Sequence, residues 1–184
     1  MIRLRAATLN DVMTLEYWDT QPHVISATGD DDHIDWRSEV ESHAAPQETL
    51  IAELDRRAIG VVQIIDPALE ATHYWGEVQH HQRAIDIWIG EAADLGRGYG
   101  TQMMTLALNR CFAAADVTAV LIDPLTSNTR AHRFYQRLGF VPVEERVFGS
   151  DACLVHRLDR LTWEARSQAF PPTGRGDDRT APEA

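Results

Sequence analysis

The sequence predicts an α/β chain of the α+β kind, a central mixed β-sheet of six to seven strands flanked by helices. Three observations predict it. Short apolar runs, several of them alternating with polar residues, recur from residue 2 to residue 159, as strands of a partly buried sheet do. Between them Met103, Met104, Ala107, Leu108 and Cys111, and later Ala131, Phe134, Tyr135 and Leu138, recur at the three- and four-residue spacing of amphipathic helices. In the middle of the chain the order strand, helix, strand implies a right-handed parallel crossover, whereas the runs toward either end are separated by short turns that suit antiparallel hairpins. A chain of 184 residues with 44% hydrophobic content can bury the core of one such domain, expected over residues 1–170.

The opening Met1-Ile2-Arg3-Leu4-Arg5 alternates and starts the sheet over residues 2–6. Thr8, with Asp11 three residues on, has the pattern of a capping box for a helix through about Trp18. The stretch beyond it reads as irregular and acidic. Trp36, Val40 and Ala44 then recur at helical spacing, so a short helix is expected over about 33–44. Glu48 to Leu54 and Ala58 to Ile65, separated by the turn-like Asp55-Arg56-Arg57, read as a hairpin. A polar, aromatic connection from Asp66 to Arg83 leads to a strand over 84–89, with Ile85, Ile87 and Ile89 on one face and Asp86 and Trp88 on the other. A glycine-rich loop and a helix from near Thr101 follow. Val117 to Ile122 is a short strand that stops at Asp123-Pro124, because proline cannot donate to a ladder and holds the preceding residue extended. Asn128 is expected to cap the next helix and Gly139 to end it. Phe140 to Phe148 and Asp151 to Asp159 form a terminal hairpin, and a last helix spans about 161–169. Pro171 to Ala184 is rich in Pro, Gly and charge and predicts a disordered tail.

The net charge is −11, and the last 14 residues, with two arginines against three acids, hold only −1 of it. Such a field disfavours nucleic acid and favours cationic partners; solubility alone is the simpler explanation. No apolar run approaches the roughly 20 residues that span a bilayer, and the strand-like start does not read as a signal peptide, so a cytoplasmic protein without a membrane partner is expected. Cys111 and Cys153 sit in apolar runs and read as packing residues. His73, His80 and His81 lack a cysteine or carboxylate at ligand spacing, so no metal is expected.

The loop Leu95-Gly96-Arg97-Gly98-Tyr99-Gly100-Thr101 joins the strand over 84–89 to a helix. Its three glycines permit positive φ and close backbone approach, and the first helical turn leaves amide groups unpaired. With the helix dipole these donors suit a phosphate or pyrophosphate. Alone the loop is not diagnostic, because it has neither the full dinucleotide spacing nor the Lys-Ser/Thr pair of a P-loop. Together with Asp123-Pro124 and the run Asn128-Thr129-Arg130-Ala131-His132-Arg133-Phe134-Tyr135-Gln136-Arg137-Leu138-Gly139-Phe140 it becomes specific. Over about residues 2–159 the chain strongly resembles the GNAT acetyltransferases. The resemblance implies a GNAT fold with acetyl-CoA as cosubstrate, its pyrophosphate on Leu95, Gly96, Arg97, Gly98, Tyr99, Gly100 and Thr101 and its pantetheine arm along the backbone of Ile87, Trp88 and Ile89. It implies further donor contacts at Asn128, Ala131, Phe134 and Tyr135. Leu95 departs from the family's usual Gln or Arg, which removes one polar contact from a cradle built mainly of backbone amides. Asn128 is either a plain N-cap or one that also touches the pantetheine. Tyr135 is either a core aromatic or the general acid for the leaving thiolate, since a phenol of pKa near 10 stays protonated at neutral pH.

Within that superfamily the chain most resembles the aminoglycoside 6′-N-acetyltransferases, through Tyr74-Trp75-Gly76-Glu77, Ala84-Ile85-Asp86, the segment from Asp94 to Thr101, Asp123-Pro124, Ser127-Asn128, Arg130-Ala131, Tyr135 and Gly139-Phe140. This implies direct acetyl transfer to a primary amine of a cationic aminoglycoside. Asp86 would stand next to that amine and accept its proton, directly or through water, while Asp123 would hold the cationic sugar. A carboxylate in the middle of a central strand carries a large desolvation penalty, so Asp86 requires an internal Arg or His, a substrate ammonium or an ordered water. Asp123 lies at the carboxyl end of the adjacent parallel strand, where open α/β sheets bind ligands, or else serves the turn beside Pro124. Trp75, Glu77 and Asp151 are the remaining substrate-binding candidates. Asp30, Asp31, Asp32 and Glu70 either enlarge the acidic floor or are solvated charges; Trp18 and Trp36 either wall a sugar ring or pack. Acetylation of a polyamine, a siderophore precursor or a protein N-terminus is the alternative activity, and a non-catalytic acyl-CoA-binding sensor is the alternative class. Both a monomer and a homodimer fit the sequence.

Overall fold

The computed structural model describes residues 1–29, 34–41, 47–70 and 74–169. The tail expected at 171–184 lies outside them, as do Asp30, Asp31, Asp32 and His73. The strands are β1 Ile2–Ala6, β2 Gln47–Leu54, β3 Arg57–Ile65, β4 Gln82–Ile89, β5 Ala119–Ile122, β6 Val141–Phe148 and β7 Asp151–Asp159. They form one mixed sheet in the order β1-β2-β3-β4-β5-β7-β6, in which β4 and β5 pair in parallel and the other neighbours antiparallel. The helices are α1 Val12–Asp19, α2 Pro22–Thr28, α3 Trp36–Glu41, α4 Tyr99–Ala113, α5 Thr129–Leu138 and α6 Arg160–Ala169.

This is the expected mixed sheet with both hairpins and the parallel crossover, with three corrections in the helices. The stretch read as irregular after Trp18 contains α2, which proline opens at its first position. The helix expected over about 33–44 begins at Trp36 as α3, and residues 33 and 42–44 lie outside the described ones. The long helix α4 begins at Tyr99, two residues before Thr101, because Gly98 already serves as its N-cap.

Local chemistry accounts for the boundaries. The Asp11 carboxylate accepts from the Thr8 amide at 2.8 Å and closes the turn that precedes α1. Arg5 grips the same carboxylate with two bonds of 2.7 Å and reaches Glu53 at 2.6 Å, so β1, β2 and this turn are stapled together. Asp55 and Arg56 turn the β2–β3 hairpin with φ of 51° and 70°, the twist that a tight two-residue connection requires. Asn128 caps α5 by accepting from the Ala131 amide at 3.0 Å, and the helix ends at Gly139 with φ 100°.

The core has two sides. Met103, Met104, Ala107 and Leu108 of α4 are fully buried against Leu50, Val62, Ile85, Val120, Ile122 and Leu158. Burial of each such aliphatic side chain is worth about 1.5–3 kcal/mol, so packing rather than intrinsic propensity holds α4 in place. The opposite face carries two separate clusters. One joins Val12, Leu15 and Trp18 of α1 and Trp36 of α3 to Ile51 and Val61. The other joins Trp75 to Ile65, Ala84, Leu121, Phe148, Cys153 and Val155. On β4, Ala84 belongs to the second cluster and Trp88 packs on the first, which leaves Asp86 at the seam between them. Thr49, Gln63 and Asp86 are cross-strand partners there, a polar row crossing the sheet between two apolar patches.

Candidate active site

Strands β4 and β5 pair through only three residues on each side, from Gln82/Ala119 to Ala84/Leu121. Beyond that point both continue, β4 to Ile89 and β5 to Ile122, so the sheet opens into a gap. Asp86 and Asp123 share the face of Ala84 and Leu121 by strand alternation, one on each side of the opening. The Tyr74 hydroxyl donates to Asp123 Oδ2 at 2.8 Å, and its ring stacks on Phe148 with centroids 4.2 Å apart and planes 10° from parallel. Burial, Asp123 and, more weakly, Asp86 raise the Tyr74 pKa well above the ordinary phenol value.

Tyr135 lies under the gap on the other face, on α5, 9% exposed and packed with Phe134 and Phe140. Burial first, then the negative charges of Asp86 and Asp123, raise its pKa above the phenol range. Both aspartates therefore act electrostatically on a tyrosine on each face of the sheet.

The glycine loop borders the same side as Tyr135. Gly96 and Gly98 have φ of 74° and 79°, and no atom lies within 4 Å of where a Cβ would stand on either. Both conformations are ones that side-chain-bearing residues rarely adopt, and the space above the backbone is open. Gly98 offers no side chain to the first turn of α4, whose amides lack a side-chain cap. Arg57 fixes the entry to the loop with bonds of 2.6 and 2.9 Å to Asp94, which is 4% exposed and precedes Leu95; these bonds hold the Asp94 carboxyl below its usual range. Arg97 is exposed, and Leu95, Tyr99 and Gly100 are half-buried at the base. Phe134 and the Ile89 side chain stand 3.8–3.9 Å from a Cβ built on Gly100, which joins the loop to α5 and the end of β4. Of the β4 backbone, the Ile89 carbonyl accepts from the His23 ring at 2.9 Å, a contact between α2 and β4 with no signal in the sequence. The Ile87 side chain packs toward α4 and that of Trp88 toward α1 and α3.

The structure does not bring every candidate to the gap. Trp75 is 2% exposed, beneath Tyr74 and Phe148, because it faces the core where the neighbouring Tyr74 faces out. Trp18 and Trp36 are 1% exposed and also pack. Glu77 lines a groove of about 240 Å³ with Glu144, Arg146 and Arg157, whose walls include neither Asp86 nor Asp123. Asp151, by contrast, pairs with Phe148, on whose ring Tyr74 stacks, and packs on Gly29 at the end of α2. Cys111 is buried, which pushes its thiol up to about 12. Among the described residues no three His, Cys, Asp or Glu side chains gather as a metal site. Sequence reasoning missed Gln63, 3% exposed beside Asp86, and Tyr74 as the partner of Asp123; only the Tyr-Trp-Gly-Glu motif marked the latter.

A protein family described as acetyltransferase (GNAT) domain matches residues 7–148. An aminoglycoside N(6′)-acetyltransferase type 1 of Klebsiella pneumoniae is 29% identical over 147 residues, 76% of this chain and 73% of that protein. A kanamycin resistance protein of Rhizobium radiobacter is 36% identical over 73 residues, 39% of this chain and 68% of that protein. Among solved structures, the aminoglycoside acetyltransferase AAC(6′)-Ib in complex with coenzyme A superposes with a TM-score of 0.78 at 24% identity, covering 90% of this chain and 98% of that one, and so has the same fold.

Proposed function

The chain belongs to the GNAT acetyltransferase family, and on that premise we propose that it is an aminoglycoside 6′-N-acetyltransferase, transferring acetyl from acetyl-CoA directly to a primary amine of the antibiotic. The observation that carries this reading is the placement of Asp86 and Asp123 on one face of the β4–β5 gap with Tyr135 beneath it on the other. A polycationic acceptor matches the acidic face. The 6′ position is drawn from the Klebsiella pneumoniae relative.

The donor side fits a CoA thioester. Gly96 and Gly98 leave their backbone open to a pyrophosphate, and the uncapped first turn of α4 offers it amide donors. Acetyl-CoA would supply the activated acetyl group; this chain's residues have to move protons. Because the acceptor arrives as an ammonium, its nitrogen loses two protons, one before attack and one after the C–N bond forms, while the sulfur gains one as the C–S bond breaks, so one proton is released to solvent. Asp86 accepts the first, directly or through water, Tyr135 protonates the sulfur, and the nitrogen's second proton restores the phenol. The two transfers help each other. A proton on Asp86 removes one of the charges that raise the Tyr135 pKa, so the phenol becomes a better acid as the amine becomes a better nucleophile. Asp123 holds the cationic acceptor at the opening. Acetylation converts an ammonium into a neutral amide, which weakens the antibiotic's hold on phosphate-rich RNA and accounts for resistance.

The test is thiol release from acetyl-CoA with kanamycin or tobramycin, with the acetylated nitrogen located by NMR. Turnover at the 6′ amine is expected, with Asp86→Asn losing about 10²–10⁴-fold in kcat while its affinity for CoA is retained. No thiol release above background, or a higher kcat/KM for spermidine than for either antibiotic, would sink the assignment.

A further inference from the structure

We propose that Tyr74 is a positioning residue of this site, whose hydroxyl fixes the Asp123 carboxylate at the lip of the gap and thereby sets affinity for a cationic acceptor. The inference rests on the functional reading above and adds to it a residue from a connecting segment outside the sheet.

Asp123 is anchored from two directions. On the backbone side, the Pro124 carbonyl accepts from the Leu154 amide at 3.0 Å, the Thr126 amide donates to Ala152 O at 2.8 Å, and Leu125 bridges to Cys153. These bonds tie the segment after β5 to β7 at the backbone. The 2.8 Å bond from Tyr74 to Oδ2 acts on the Asp123 carboxylate itself. Tyr74 can do so because its own position is fixed: the ring lies flat on Phe148 and meets Trp75 edge-on with centroids 5.7 Å apart. The residue is 38% exposed, so it forms part of the rim rather than the core. Burial and the adjacent carboxylates keep the phenol protonated through the physiological range, so it serves Asp123 as a donor and never as a competing anion. A donor to a carboxylate also favours the ionised form, the form an ammonium group needs.

Tyr74→Phe keeps the stack on Phe148 and deletes one oxygen. In the enzyme without substrates, 13C NMR of the side-chain carboxyls, with Asp123→Asn identifying the resonance, is expected to show Asp123 titrating about one pH unit higher in Tyr74→Phe. With an aminoglycoside, kcat/KM is expected to fall about tenfold through KM, its acid limb moving up with Asp123, while KM for acetyl-CoA is unchanged. In an Asp123→Asn background the same substitution should add no further loss. An unmoved Asp123 titration, or an equal loss with and without Asp123, overturns the proposal. The titration uses no acceptor. If the protein acetylates no aminoglycoside while Tyr74→Phe still shifts Asp123, the functional reading fails and the positioning role stands.

Discussion

Replacing Gly90 with alanine drives a methyl group into the indole of Trp18. Gly90 follows the last residue of β4, and its amide is bonded to Ile59 O at 3.0 Å. A Cβ there would stand 2.0 Å from Cε2, 2.2 Å from Cδ2 and 2.2 Å from Nε1 of Trp18, which is 1% exposed. Its φ is outside the left-handed region, so the obstacle is space and not backbone conformation. Carbon atoms in contact sit at about 3.5–4.0 Å, so either α1 must retreat by well over an ångström or the indole must leave its rotamer. Overpacking costs about 1–3 kcal/mol, and a buried, rigid ring at these distances belongs at the upper end. For a chain of this length about 3 kcal/mol lowers the melting temperature by about 6–12 °C. Calorimetric melts of the wild type, Gly90→Ala, Trp18→Leu and the double variant measure it: the alanine should be costly alone and nearly neutral once the indole is gone. A Gly90→Ala melt within about 2 °C of wild type, or an equal drop in both backgrounds, refutes the reasoning.

Two other outcomes follow from the geometry. Gly98→Ala places its Cβ in open space at φ 79°, so it should cost only about 1–2 kcal/mol of stability while weakening CoA by more than about tenfold in calorimetric titration; unchanged CoA affinity would remove the loop from the donor site. His156 is fully buried, its Nδ1 bonded to Leu154 O at 2.8 Å and its Nε2 unpartnered, and burial and then the neighbouring His132 lower its pKa. The unfolded chain binds a proton at this residue near pH 6.5 while the folded chain resists it. Its contribution is therefore fully present above that pH and lost as pH falls toward the folded value. The wild-type melting temperature should fall on acidification below about pH 6.5, more steeply than that of His156→Gln, and equal slopes would contradict the assignment.

The legible parts of the fold were those written locally. Asn128 and Gly139 mark the ends of α5 through their own side-chain and backbone chemistry, and Asp123-Pro124 closes β5 for the same kind of reason. α2 escaped notice because Val24 is its one buried residue, too few to write a helical stripe into the sequence. Adjacent aromatics were the harder case. Composition marks Trp75 as the better sugar platform, but on this backbone Tyr74 faces out and Trp75 faces in, a choice made by Phe148 more than seventy residues away. The seam beside Asp86 was equally hidden, because Thr49 and Gln63 become its neighbours only through strand register.

The short ladder between β4 and β5 also has a mechanical meaning. β1 to β4 form one stiff plate and β5, β7 and β6 another, hinged along three residues at one end. Ladder bonds do not set the aperture where the pairing has ended. Under both plates lies one buried cluster, in which Met103, Met104 and Leu108 of α4 and Tyr135 of α5 join Ile85 of β4 and Val120 and Ile122 of β5. A core packed at this density responds to single methylenes, so a change of one methylene in that cluster is expected to retune the opening from below.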